Sequence, residues 1–320
     1  MVKKLIISTC VLLAAVSCGG PGKPSAPVYR SFPLPDPAPV MVTDEAERIA
    51  YSVNHFWDKY FAEQAVTDSA AVLGVKNDDI EKSFATYVSL LNLVPMDVAV
   101  KSTADLFRRI EAKQAENDSS LFYLRFTEIV SKYLYDPNSP VRNEDFYLPM
   151  VKGMAASRFT SEDMVPAYEY EARMCALNPY GSKVADFKFK DINGRVHSLY
   201  GIRATYTILF FSNPYCTNCK EIMDNLQSLE NLNWWISSGD LAVASIYIDR
   251  ELDEWREYQP NYPKNWITGY DYNYIIREDV LYNVRAIPSL YLLDAEKRVI
   301  LKDAPQEQII QYLVRKLQNK

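Results

Sequence analysis

Cys216 and Cys219 enclose two residues in Cys216-Thr217-Asn218-Cys219, a spacing that brings two thiols to one end of a helix. The residues before them, Thr205 to Phe211, form a continuous β-rich apolar run that stops at Ser212-Asn213-Pro214, and those after them follow a helical pattern to about Trp235. The pair therefore falls where a buried strand hands over to a helix. The first turn of a helix has free backbone N–H groups and the positive end of the helix dipole, so it favours a thiolate over a thiol. The thiolate is the form that attacks a disulfide sulfur. Cys216 is placed to attack, and Cys219, almost one turn deeper, to resolve the mixed disulfide. The chemistry open to this pair is thiol–disulfide exchange, with a stable structural disulfide as the plainer use of the same two residues.

Other residue types give weaker patterns. A structural zinc site needs four ligands, and neither His55 nor His197 is near the cysteines in sequence. A peroxidatic cysteine has Thr or Ser three residues before it and proline four residues earlier still, whereas Asn213 and Leu209 occupy those places. Cys175 could be a third redox partner near a domain junction, but a lone apolar-flanked thiol is more often plain core. His197 follows a hairpin signal and reads as an exposed strand residue. Tyr258, Tyr262, Tyr270, Tyr272 and Tyr274, with Trp255 and Trp266, read as packing rather than as a partner groove. Asp78, Asp79 and Glu81 read as helix-start acids, not a metal cluster. No cofactor is implied.

The elements that must position the dithiol follow from the rest of the chain. A length of 320 residues favours two compact units. The apolar share of 48% and charged share of 24% suit folded cores and exclude wholesale disorder. A net charge of -6 without a clustered Lys/Arg run gives no footprint for nucleic acid or anionic lipid head groups. Lys3 and Lys4 precede the apolar run Leu5 to Val16, which is shorter than the roughly 20 residues of a spanning helix and suits a signal peptide over residues 1–17. The following Ala15-Val16-Ser17-Cys18-Gly19-Gly20 resembles a bacterial lipoprotein cleavage box with lipid on Cys18, although Ala15 stands where a branched aliphatic residue is usual. Residues 18–42 are rich in Pro and Gly and read as an extended tether.

Residues 43–178 show apolar stripes at three- and four-residue spacing, among them Ile80, Phe84, Val88 and Leu91, with punctuation between them and no strand-like alternation. An all-α helical domain is expected there, its first helix running from Thr43-Asp44-Glu45 to near Gln64. At Asn178-Pro179-Tyr180-Gly181 the pattern changes to a hairpin around Asn193-Gly194 and then to an α/β order, ββ-β-α-β-α-β-β-α, over residues 181–320.

Val284-Arg285-Ala286-Ile287-Pro288-Ser289 places a proline just before a strand in the later half of this second domain. Together with the dithiol, Ala185-Asp186-Phe187 and Phe210-Phe211, this resembles the thioredoxin superfamily, and most nearly its membrane-tethered TlpA-like branch, over about residues 181–320. The resemblance implies a thioredoxin-like α/β fold with Ile287–Pro288 as a cis pair, and Ile287, Pro288 and Tyr215 beside the dithiol as the docking surface for an extended substrate. It implies an envelope oxidoreductase working in the reducing direction on protein thiols and disulfides, fed by an upstream electron donor, held to the membrane by lipid on Cys18 and facing the periplasm or cell surface. Two departures are plain. Phe210 stands where many thioredoxins bury a proton-moving Asp, leaving a water, Lys220 or Glu221 for that task, and Tyr215 stands where thioredoxin has Trp. The other reading is a membrane-anchored binding or scaffold lipoprotein whose second domain is a redox-idle adaptor.

Overall fold

The computed structural model describes residues 29–64 and 67–317. The expected signal peptide, the lipidation at Cys18 and the first part of the tether lie outside the described residues. The end of the expected tether is not free: Arg30 Nε donates to Leu73 O at 2.8 Å, and the Phe32 ring lies 5.5 Å from Phe56 and from Tyr60. An aromatic ring in a proline-rich segment still has apolar area to bury, and the helical core supplies the surface.

The first domain is built from α1 (Glu45–Asn54), α2 (Asp58–Ala62), α3 (Asn77–Leu91), α4 (Met96–Ala115), α5 (Phe122–Leu134), α6 (Glu144–Ala156) and α7 (Val165–Cys175). Side-chain caps start two of them: Asp44 accepts from Glu47 N, and Asn143 accepts from Asp145 N and Phe146 N. The single first helix expected to Gln64 is instead broken at His55 to Trp57, and the break lets Trp57 and Tyr60 both enter the core. Strands also occur where none was expected, β1 (Ala71–Val72) and β2 (Val75–Lys76). Leu73 and Gly74 both have positive φ, the backbone that a two-residue hairpin of type I′ requires. A hairpin this short leaves no alternation for a sequence reading to detect.

The second domain is a mixed sheet of β3 (Lys188–Lys190), β4 (Val196–Ser198), β5 (Tyr206–Phe211), β6 (Leu241–Tyr247), β7 (Ile267–Tyr270), β8 (Ser289–Leu293) and β9 (Val299–Leu301), in spatial order β4-β3-β7-β6-β5-β8-β9. Strand β5 runs parallel to β6 and antiparallel to β8. It is buried on both faces, with Ile208 and Phe210 in one core layer and Leu209 and Phe211 in the other. The period of two thus feeds two cores from one strand. The first layer is closed by α8 (Thr217–Gln227), α9 (Leu232–Ser237) and α12 (Gln306–Leu317), through Ile222, Leu226, Trp235, Ile309 and Leu313. The single helix expected from Cys216 to Trp235 is two, broken between Gln227 and Leu232. Helices α10 (Leu252–Tyr258) and α11 (Ile275–Glu278) flank β7.

Strand β7 stands between β6 and β8 in the chain, where the expected order ββ-β-α-β-α-β-β-α has a helix and no strand. Its Gly269 weakens the strand signal, and the structure shows why a side chain is missing there: a Cβ would lie 2.3 Å from the Phe189 ring and 2.9 Å from Lys190 O. Gly269→Ala is expected to lower stability by about 1–3 kcal/mol, since the crowding atoms include backbone that cannot swing aside. Urea unfolding followed by far-UV circular dichroism measures it, and an unchanged midpoint would mean that β3 and β7 separate at no cost.

Candidate active site

Strand β5 ends at Phe211, whose neighbours across the sheet are Ile246 on β6 and Ser289 on β8. The chain leaving β5 and the chain entering β8 are therefore side by side, and the dithiol and Pro288 emerge at one end of the sheet. The turn out of β5 is shaped by polar contacts: Asn213 Nδ2 donates to Asp249 Oδ2 at 2.6 Å, and Asp249 pairs with Arg277 at 2.6 Å. Tyr215 takes a positive φ of 57°, which turns the chain sharply into α8.

Cys216 is the N-cap of α8, and its Sγ accepts the Cys219 backbone N–H at 3.2 Å. This is the place where a capping side chain meets an unpaired helix donor, and for sulfur the same contact favours the anion. The two cysteines are joined as a disulfide with their Cα atoms 5.2 Å apart. Cys216 is partly exposed, whereas Cys219 is buried in the core layer of Phe210 and Leu226. One sulfur thus meets a partner and the other is shielded, an asymmetry that suits an attacking and a resolving thiol. Thr217 and Asn218 are exposed between them.

Around the dithiol, Tyr215 is 61% exposed and sets its ring edge against Tyr258 at 5.3 Å. Partial loss of hydration, then Glu257 and Glu254, push its hydroxyl above the ordinary range. The Ile287–Pro288 peptide is cis, Ile287 and Pro288 are partly exposed, and the next residue donates from Ser289 Oγ to Asp303 Oδ1 at 2.7 Å. Cys216 and Ile287 pack against the same core layer.

Phe210 is fully buried and brings no acid to the dithiol. Lys220 and Glu221 are exposed, and Lys220 Nζ is held by Asp224 Oδ2 at 2.5 Å. A group that sequence reasoning missed lies on the dithiol side of the sheet. Ser212 and Ser245 share a buried hydrogen bond of 2.7 Å, and Tyr262 OH lies 3.5 Å from Ser212 Oγ. No spacing rule joins these three, because each sits on a different element. Tyr258, Tyr262, Trp255 and Trp266 are buried, so the aromatic tract is mainly packing.

Cys175 lies far from exchange chemistry in character. It is fully buried at the end of α7, and burial, then the charge of Glu144, pushes its thiol far above the ordinary range. His197 is exposed on β4, with Nε2 3.1 Å from Asp191 Oδ2. Among the described residues no three His, Cys, Asp or Glu side chains gather as metal ligands, and no helix is long and apolar enough to cross a membrane.

Compared with known families, residues 204–299 match the thioredoxin-like model, and residues 9–172 match that of a domain of unknown function, DUF5106. No curated protein matches the chain. Among solved structures, a thioredoxin-like protein from Bacteroides caccae is 34% identical, with 89% of this chain and 99% of that one covered and a TM-score of 0.73. The C-terminal domain of an uncharacterised protein from Bacteroides fragilis is 41% identical over 43% of this chain and 99% of its own, with a TM-score of 0.42. A domain of a possible thiol-disulfide isomerase from Cytophaga hutchinsonii is 27% identical over 45% of this chain and 99% of its own, with a TM-score of 0.38.

Proposed function

We propose that this chain, which belongs to the thioredoxin-like family and has a DUF5106 domain in its N-terminal half, is an oxidoreductase that exchanges disulfides of envelope proteins in the reducing direction. The observation that carries the reading is the sulfur of Cys216 at the N-cap of α8, accepting a helix N–H, with Cys219 buried one turn inward. In the reduced protein the Cys216 thiolate attacks one sulfur of a substrate disulfide. That bond breaks, the leaving thiolate takes a proton, and a Cys216–substrate bond forms. Cys219 then gives up its proton and attacks Cys216 Sγ, the mixed disulfide breaks, and the second substrate thiol departs. Two electrons have passed to the substrate, and an upstream dithiol donor returns them. In this reading residues 1–17 are a signal peptide, Cys18 bears the lipid, and the chain works in the bacterial cell envelope on the periplasmic or outer face. The reducing direction rests on family analogy.

Trapping tests it. In the Cys219→Ser protein the second step is removed, so disulfide-bearing envelope proteins are expected to accumulate as covalent adducts on Cys216 that dithiothreitol releases. In the reduced wild type, alkylation of Cys216 against pH is expected to have its midpoint below the ordinary thiol value of about 8.5. No adducts and an ordinary midpoint would remove the oxidoreductase reading and leave a binding or scaffold role, in which Cys216→Ser captures the same partners as the wild type.

A further inference from the structure

The segment Asn283 to Ser289, which contains the Ile287–Pro288 pair, is gripped on both sides by charges, and the grip crosses the domain boundary. From the helical domain, Glu144 in the first turn of α6 accepts from Asn283 Nδ2 at 2.7 Å and pairs with Arg285 Nε at 3.0 Å. Arg285 also donates to the Tyr135 backbone oxygen just past α5, and its guanidinium lies 4.1 Å from the Tyr135 ring centroid. From its own domain, Arg285 Nη2 meets Asp303 Oδ2 at 3.0 Å, the same carboxylate that holds Ser289. Lys302, fully buried, closes the cluster: its Nζ lies 2.8 Å from Glu144 Oε2 and donates to the carbonyl oxygens of Cys175 and Leu177 at the end of α7.

Glu144 is 1% exposed. A carboxylate with so little water is held by its partners alone, and two of them, Asn283 and Arg285, belong to the docking loop, with Lys302 as the third. A surface tether between two independent modules needs no such arrangement, since interfaces between independently moving domains are usually more hydrated. The loop itself has few apolar anchors beyond Ile287, with Ala286 exposed and Val284 and Pro288 only partly covered. Its position is accordingly set by polar contacts, several of which come from the helical domain.

We propose that the helical domain is part of the exchange machinery, with Glu144 a positioning residue that reaches across the domain boundary to fix the Ile287–Pro288 docking loop beside the dithiol. This rests on the disulfide-exchange reading. It assigns the N-terminal domain a task in substrate docking, and it separates two kinds of substrate. A small disulfide needs only the sulfur of Cys216. A protein disulfide must also lie along the loop, and for it a displacement of about 1 Å can cost up to a hundredfold.

The test uses the full-length reduced protein with two probes, insulin and a small nitroaryl disulfide. The double variant Glu144→Gln/Lys302→Met removes one charge of each sign and so leaves no new unbalanced buried ion. It is expected to reduce the nitroaryl disulfide in a single turnover within twofold of the wild-type rate, while kcat/KM for insulin, measured with dithiothreitol as the recycling donor, falls about tenfold or more, chiefly through a higher KM. Arg285→Lys keeps the charge but loses the planar fork, and is expected to show the same split whether or not the double variant folds. A wild type that reduces both probes, with folded variants that reduce insulin within twofold of it, overturns the positioning role and leaves the exchange reading intact. A wild type that reduces neither probe overturns the exchange reading itself, and the positioning role with it.

Discussion

Cys216→Ser is expected to abolish insulin reduction, with turnover down about a thousandfold or more, because a serine hydroxyl at neutral pH supplies almost no anion and no sulfur to form the mixed disulfide. Cys219→Ser is expected to behave differently. The Cys216 sulfur remains at the head of α8 with its N–H donor, so the first attack proceeds and stops after one turn. The pair of variants therefore separates attack from release. A turbidity assay on insulin with dithiothreitol as electron donor measures turnover, and intact-protein mass without a donor measures the adduct held by the Cys219→Ser protein. If Cys216→Ser and wild type reduced insulin at equal rates, the cysteine at the N-cap would have no part in the reaction. If Cys219→Ser held no adduct while Cys216 still alkylated readily, the order of attack would be reversed or exchange would require both thiols at once.

The other large effect is on stability. Glu144→Ala is expected to destabilise the protein by about 3–5 kcal/mol, the usual result of removing one partner from a buried ion pair. The wild-type carboxylate is costly in its own right: burial raises its pKa, and the charges of Lys302 and then Arg285 bring it part of the way back. Remove it, and Lys302 keeps only the two carbonyl oxygens at the end of α7, while Arg285 keeps Asp303 and the Tyr135 carbonyl. The loss is one of compensation, so the balanced Glu144→Gln/Lys302→Met variant should fall well short of it. Urea unfolding of the three proteins makes the comparison. A Glu144→Ala protein within about 1 kcal/mol of wild type would mean that water reaches the cluster and screens it, as it does exposed pairs.

The sequence reading reached the fold class and the dithiol because both depend on local order. The run Thr207 to Phe211 is apolar at every position but one, which is how a strand buried on both faces must look, and the helix that begins after Cys216 is legible from its apolar spacing. It did less well where a short element has no period to show. Strands β1 and β2 have two residues each, and β7 has four with a glycine among them. The first helix was read through His55 because Trp57 and Tyr60 keep a helical spacing even though the chain turns between the helices. For Trp57, Tyr60, Val72 and Val75 what decided the outcome was the core that received the side chains.

The sequence alone determined that two thiols share one helix end, that the end follows a buried strand, and that a proline precedes a later strand. These are facts of adjacency, and adjacency survives in a linear chain. Only the tertiary structure decided that Ser289 lies across from Phe211, bringing the proline loop to the dithiol end of the sheet. Only it showed that Glu144 meets Asn283 and Arg285, residues well over a hundred positions away. Charges such as Glu144 and Lys302 are marked by no spacing in the sequence, and a buried charge acquires its meaning from the partner that the fold delivers.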